Sequence, residues 1–186
     1  GNSGITGTAE FDGNGSGDAL TVDGVSYTFP LGDKATVFVG DNTDGSLLFT
    51  SACVYGGPSN TLDDCGNVNA GITSGAVSTG ASYDFGTGFT AAVGFQTTNT
   101  AVATEESMDA YAINAAYTGD NYGVSITYGV VESTTTTEDT FTALQGYYTP
   151  EGFPSISVGY EIGEDGDVVG DADSLESLFL GLTWDE

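Results

Sequence analysis

The sequence predicts an all-β fold built as an antiparallel up-and-down meander, and three observations predict it. The first is alternation. Tyr122, Val124, Ile126, Tyr128 and Val130 share one parity, while Gly123, Ser125, Thr127 and Gly129 share the other. Side chains of a strand point to opposite faces at successive positions, whereas a helix would scatter these apolar groups round its circumference. The second is punctuation, because Gly-, Pro-, Asn- and Asp-rich turns separate the alternating runs. The third is composition. Hydrophobic residues make up 39% of the 186 positions, with 10 Tyr and 10 Phe, which suits packed strands and not a disordered chain. No 3.6-residue stripe of any length competes with this pattern.

In chain order, the first candidate strand is 5–11. The next is 19–29, with a parity slip near Gly24 that suggests a bulge. Strands 35–39 and, more weakly, 47–50 follow. Then come 77–85, 89–96, 110–117, 122–131, 140–148, 155–162 and 178–184. In 155–162, Ile156, Val158, Tyr160 and Ile162 alternate with Ser155, Ser157, Gly159 and Glu161. The connections at 30–33, 86–88, 119–121 and 149–154 are short and carry the residues that tight turns require. Those at 97–109, 132–139 and 163–176 are long and polar. A meander connected in this way places its tight turns at one end and its long loops at the other.

Charge excludes whole classes of function. One Lys, no Arg and no His stand against 27 Asp plus Glu, a formal charge of −26. Counterion release from nucleic acid needs clustered cations, so no nucleic-acid partner is expected. Without His there is no Ser–His–Asp triad, and the commonest zinc ligand is missing. No apolar run approaches the length of a membrane-spanning helix. The chain opens Gly1-Asn2-Ser3-Gly4, which reads as a processed or truncated product.

The loop asymmetry, with strands of about 8–11 residues, is the pattern of transmembrane β-barrels, which cross a bilayer with tilted strands of about 9–11 residues. The second face fits as well, since it offers Gly, Ser, Thr, Ala and Asn with hardly a charge. Such a face suits a narrow lumen or close contact with another sheet. Tyr83, Phe85, Phe89, Tyr117, Tyr122, Tyr147 and Tyr148 gather beside the short turns. There they form either an aromatic girdle or cross-strand packing pairs. A soluble sandwich with a Gly-rich face is the bland alternative.

The segment Val25-Ser26-Tyr27-Thr28-Phe29-Pro30-Leu31-Gly32-Asp33-Lys34-Ala35-Thr36-Val37 is similar to the strand–turn–strand of cyanobacterial outer-membrane porins of the carbohydrate-selective type. The stretch 82–89 resembles barrel hairpins of that family. So do 147–157, beginning Tyr147-Tyr148-Thr149-Pro150, and Gly181-Leu182-Thr183-Trp184. The likeness covers residues 19–186. It implies a β-barrel for passive diffusion of small hydrophilic solutes or ions, located in the outer membrane, with the lipid bilayer as partner and no catalysis. Family members carry an S-layer-homology region and a longer barrel, so 1–186 reads as a single β domain cut from a longer polypeptide. An incomplete barrel leaves open edges, and open edges either close or pair with other copies. The alternative expectation is therefore a non-catalytic extracellular subunit that self-associates edge to edge into a filament. In such a fibre Gly94, Gly123, Gly129, Gly159 and Gly181 would lie against another sheet, whereas in a porin that face meets water.

Three sets of residues carry candidate chemistry. Cys53 and Cys65 allow one intramolecular pairing, in a turn-rich segment outside regular strands. A disulfide is expected there, and two reduced buried thiols are the alternative. Asp12, Asn14, Ser16, Asp18 and Asp23 place oxygen ligands at the spacing of an EF-hand calcium loop, with Gly17 at the sixth position. The flanks read as strands and Asp23 is short for a bidentate ligand, so a Gly-rich turn without any cofactor is preferred over bound calcium. The run Glu161 to Asp167, containing Glu164, Asp165 and Asp167, forms an acidic loop with Asp171, Asp173 and Glu176 beyond it. It reads as a solvated loop that deters aggregation, or as a weak attractor of divalent cations.

Overall fold

A computed structural model describes residues 5–6, 24–55, 65–67, 69–73, 76–97, 108–132, 137–166 and 174–184. Among the described residues, ten strands form one antiparallel sheet, and each pairs with its neighbours in chain order. They are β1 (Ile5–Thr6), β2 (Val25–Leu31), β3 (Ala35–Asp41), β4 (Val77–Gly86) and β5 (Phe89–Thr97). After them come β6 (Asp109–Thr118), β7 (Tyr122–Glu132), β8 (Glu138–Tyr148), β9 (Ser155–Glu164) and β10 (Ser174–Thr183). The described residues contain no helix, and hence none long and apolar enough to cross a membrane. Among the described residues the sheet does not close on itself, β1 pairing only with β2 and β10 only with β9.

The meander expected from alternation is the observed fold, with local revisions. Residues 47–50 are a turn and an irregular stretch, not a strand. Within the described residues β2 begins at Val25, and Gly24 lies just outside it. Residues 7–23, on which the expected slip near Gly24 bears, lie outside the described residues; a register irregularity is present between Asp84 and Gly86, at the end of β4. There the Asp84 carboxylate accepts from Gly86 N at 2.7 Å, and Gly86, Thr87 and Gly88 all adopt positive φ to make the two-residue reversal into β5. Strands β9 and β10 run farther than the sequence suggests. Their ladder continues to Glu164 opposite Ser174, and Glu176 pairs with Ile162.

The two faces of the sheet are inverted relative to a water-soluble protein. Val93, Ile113, Val124, Ile126, Leu144, Val158, Leu178 and Leu180 are exposed on one face. Ser78, Gln96, Asn114, Ser125, Thr127, Gln145 and Ser157 are buried on the other. Only small apolar clusters are buried, such as Ile72 with Ala110 and Ala112, packed against Phe49 and Val131. Aromatic rings border the short-turn end. Phe89 and Tyr117 have centroids 4.8 Å apart, Tyr117 and Tyr122 are 5.5 Å apart, and Tyr83 meets Phe85 at 4.8 Å. Tyr147 does not belong to this band. It pairs with buried Gly123 and occupies the space over it.

Candidate functional site

What buries the small-residue face is the chain itself. The described parts of the connection from β3 to β4 leave the sheet at Asn42 and lie across the inner face in two limbs, 42–55 and 65–73, the second described at 65–67 and 69–73. We call this element the strap. A disulfide between Cys53 and Cys65 joins the limbs, with Cα atoms 6.3 Å apart. The pairing expected from sequence is therefore present.

The strap is held by a repeated device in which a backbone group of the strap meets a polar side chain of the sheet. Gly45 N donates to Gln96 Oε1 on β5 at 2.9 Å, and Gln96 Nε2 donates to Thr73 O at 2.8 Å. One amide thus clamps both roots of the strap. On β6, Asn114 Oδ1 accepts from Thr50 N at 3.0 Å and its Nδ2 donates back to Thr50 O at 3.2 Å. Ser125 on β7 accepts from Ala52 N at 2.9 Å and donates to Gln145 on β8 at 3.0 Å. Gln145 Nε2 then donates to Cys65 O at 3.2 Å. Ser157 on β9 accepts from Val54 N at 3.1 Å, and Thr183 on β10 donates to Val54 O at 3.3 Å. A buried backbone N–H or C=O without a partner costs about 1–3 kcal/mol, so a segment without its own ladder lies on a sheet only where side chains satisfy it.

Glycine provides the clearance. A Cβ at Gly159 would collide with Cys65 O, and one at Gly94 would collide with Gly45 O. At Gly129 it would sit 2.8 Å from Ala70 O, and at Gly181 2.8 Å from the Tyr55 ring. These are the glycines whose face was expected to meet either water or a second sheet. They meet the strap instead, while Gly123 is covered by Tyr147.

Glu161 stands both in the 155–162 strand, on the parity of Ser157 and Gly159, and at the head of the acidic run; the structure places it within β9, 0% exposed. Its Oε2 accepts from Asn69 N and Ala70 N, both at 3.0 Å, and its Oε1 accepts from Asn69 Nδ2 at 2.6 Å. Three N–H donors from the return limb converge on this one side chain. The alternation of 155–162 already sets it on this inward parity; what the sequence does not supply is its partner, the return limb of the strap.

The other acidic positions divide. Glu164 and Asp165 are exposed, at the end of β9 and just beyond it. Glu176 lies inside β10, so it is a strand residue on the exposed parity and not a loop residue. Asp167, Asp171 and Asp173 lie outside the described residues, as do Asp12, Asn14, Ser16, Asp18 and Asp23 of the candidate calcium loop. Among the described residues no three His, Cys, Asp or Glu side chains group to hold a metal ion.

On the exposed face, a shallow apolar depression of about 720 Å³ is bordered by Phe85, Phe89, Tyr117, Val124, Ile126 and Leu144. Its lining is predominantly apolar, with Thr90, Tyr117 and Ser125 among the lining residues. The arrangement as a whole can cover, separate and exclude. No protein-family model matches the chain, and no curated protein matches it.

Proposed function

We propose that the chain forms part of the wall of a porin-type β-barrel in an outer membrane, through which small hydrophilic solutes or ions diffuse without chemistry or cofactor. The observation that supports this reading is the inversion of the faces. Val124 is 54% exposed and Ile126 45%, whereas Thr127, between Ile126 and Tyr128, is buried. In water, an apolar face carried across successive strands far exceeds the few hundred Å² that a monomeric protein leaves uncovered. In hydrocarbon the same face is the favourable one, and the backbone groups are satisfied along the ladder. The aromatic band at the short-turn rim suits an interfacial girdle.

Lipid does not tolerate open sheet edges, so on this reading further strands complete the ring. The strap then lies in the lumen and narrows it. A charge of −26, with Lys34 as the sole cation, favours entry of cations over anions at low salt. The test is conductance across a planar bilayer under a salt gradient. Stepwise openings with a cation-selective reversal potential, weakening as salt rises, are expected. Anion preference, or bilayer-inserted protein that conducts nothing, would overturn the reading.

A second reading has one observation in its favour. Leu178 is 77% exposed and Leu180 68%, on β10, whose far edge pairs with no described strand. Such an edge also accepts a strand from another copy, giving an extracellular filament by strand addition. Filaments seen by negative stain in detergent-free buffer would favour this reading over the first.

A further inference from the structure

We propose that the strap opens as one unit away from an intact sheet, with Gln96 at its roots and Glu161 as its latch. The two layers are attached in different ways. Strands β2 to β10 are joined by continuous backbone ladders, such as the run from Tyr122↔Tyr148 to Glu132↔Glu138 between β7 and β8. The limbs, 45–54 and the described residues of 65–73, are held on the sheet by single side chains, among them Gln96, Asn114, Ser125, Gln145, Ser157 and Glu161, and by the packing of Ile72 and Phe49 against Ala110, Ala112 and Val131. Lifting the limbs breaks these contacts and leaves every strand–strand hydrogen bond in place. Local opening with a free energy below that of global unfolding is expected wherever a segment is held in this way.

Two features make the limbs move together. The Cys53–Cys65 bridge ties the outgoing limb to the returning one. Gln96 holds Gly45 and Thr73 with the two ends of one amide, so both roots share a pivot. The closed strap is also imperfectly satisfied, because Asn67 Oδ1 is buried without a hydrogen-bond partner among the described residues. Glu161 offsets this with three donors on one carboxylate. Opening bares Asn114, Ser125, Thr127, Gln145 and Ser157, a polar track running across β6 to β9. On the barrel reading that track is the path widened for solute, but the opening itself does not depend on that reading.

The experiment is amide hydrogen exchange of the folded full chain, resolved by residue. In the native sequence the amides of Gly45, Thr50, Ala52, Val54, Asn69 and Ala70 should exchange with one common rate, ahead of the amides of β6 to β8. Glu161→Gln replaces one carboxylate oxygen by a donor, and should speed the whole strap set by on the order of tenfold or more while β6 to β8 keep their rates. Cys53→Ser with Cys65→Ser should split the set into two limbs with separate rates. The proposal fails if strap and strand amides exchange together in the native chain. It also fails if Glu161→Gln frees Asn69 and Ala70 alone. The native comparison decides the first point even if a variant does not fold. Conductance is not needed for any of these outcomes, so the barrel reading stands or falls separately.

Discussion

Adding a single methyl group at Gly159 tests how closely the strap approaches the sheet. The backbone at Gly159 has no positive φ, so its glycine is required by space and not by conformation. A Cβ there would overlap Cys65 O and come within 3.3 Å of Gly66 Cα, both of them backbone atoms that cannot rotate aside. The limb must lift, and lifting Cys65 lengthens the 3.2 Å hydrogen bond from Gln145 Nε2. Overpacking of this kind costs about 1–3 kcal/mol, and the loss of one hydrogen bond costs about a further 1 kcal/mol. Gly159→Ala should therefore destabilise the chain by about 2–4 kcal/mol. Gly146→Ala is the matched control. Its Cβ would meet nothing nearer than Gly123 O at 3.4 Å, an ordinary contact. Replacing a strand glycine by alanine there should change stability by less than about 1 kcal/mol, in the favourable direction. The assay is urea unfolding of both variants in the same detergent, read as the midpoint shift at constant slope. Equal midpoints for the two variants would refute the claim that the strap rests on Gly159.

Two further substitutions probe the outer face and the bridge. Ile126→Lys places a charge on an exposed position in the middle of β7; it should lower stability by about 2–4 kcal/mol in lipid vesicles and by under about 0.5 kcal/mol if that face meets water, measured by reversible unfolding in vesicles. Cys53→Ser combined with Cys65→Ser opens a loop of sequence separation 12 and should cost about 3 kcal/mol on the chain-entropy account, seen as a lowered urea midpoint.

Strands were legible in the sequence because alternation is a local property. The run from Tyr122 to Val130 announces its strand without reference to the rest of the molecule, and the bounds of β4 to β8 fall within two residues of that reading. Short turns were legible for the same reason, since Gly86-Thr87-Gly88 and Gly32 declare their backbone requirement. The strap was not legible. Residues 45–54 pair through side chains of distant strands, such as Gln96 for Gly45, 51 positions away, and Ser157 for Val54, 103 positions away. No local pattern encodes which face such a segment will cover. Leu47 to Thr50 looked like a weak strand because its composition suits extended backbone, yet no neighbouring strand is there to receive it. For Glu161 the alternation of 155–162 gives the strand and the face, but not the partners Asn69 and Ala70, 91 to 92 positions away.

The central claim is that the apolar face meets hydrocarbon while the polar face lies under the strap. Photolabelling in lipid vesicles with a carbene reagent that partitions into acyl chains tests it most directly, with the labelled residues located by fragmentation. The account predicts label on Val124, Ile126, Val158 and Leu180 and none on Ser125, Thr127 or Ser157. Label absent from all seven, with Val124 and Ile126 instead oxidised by hydroxyl radicals from the water phase, would contradict it.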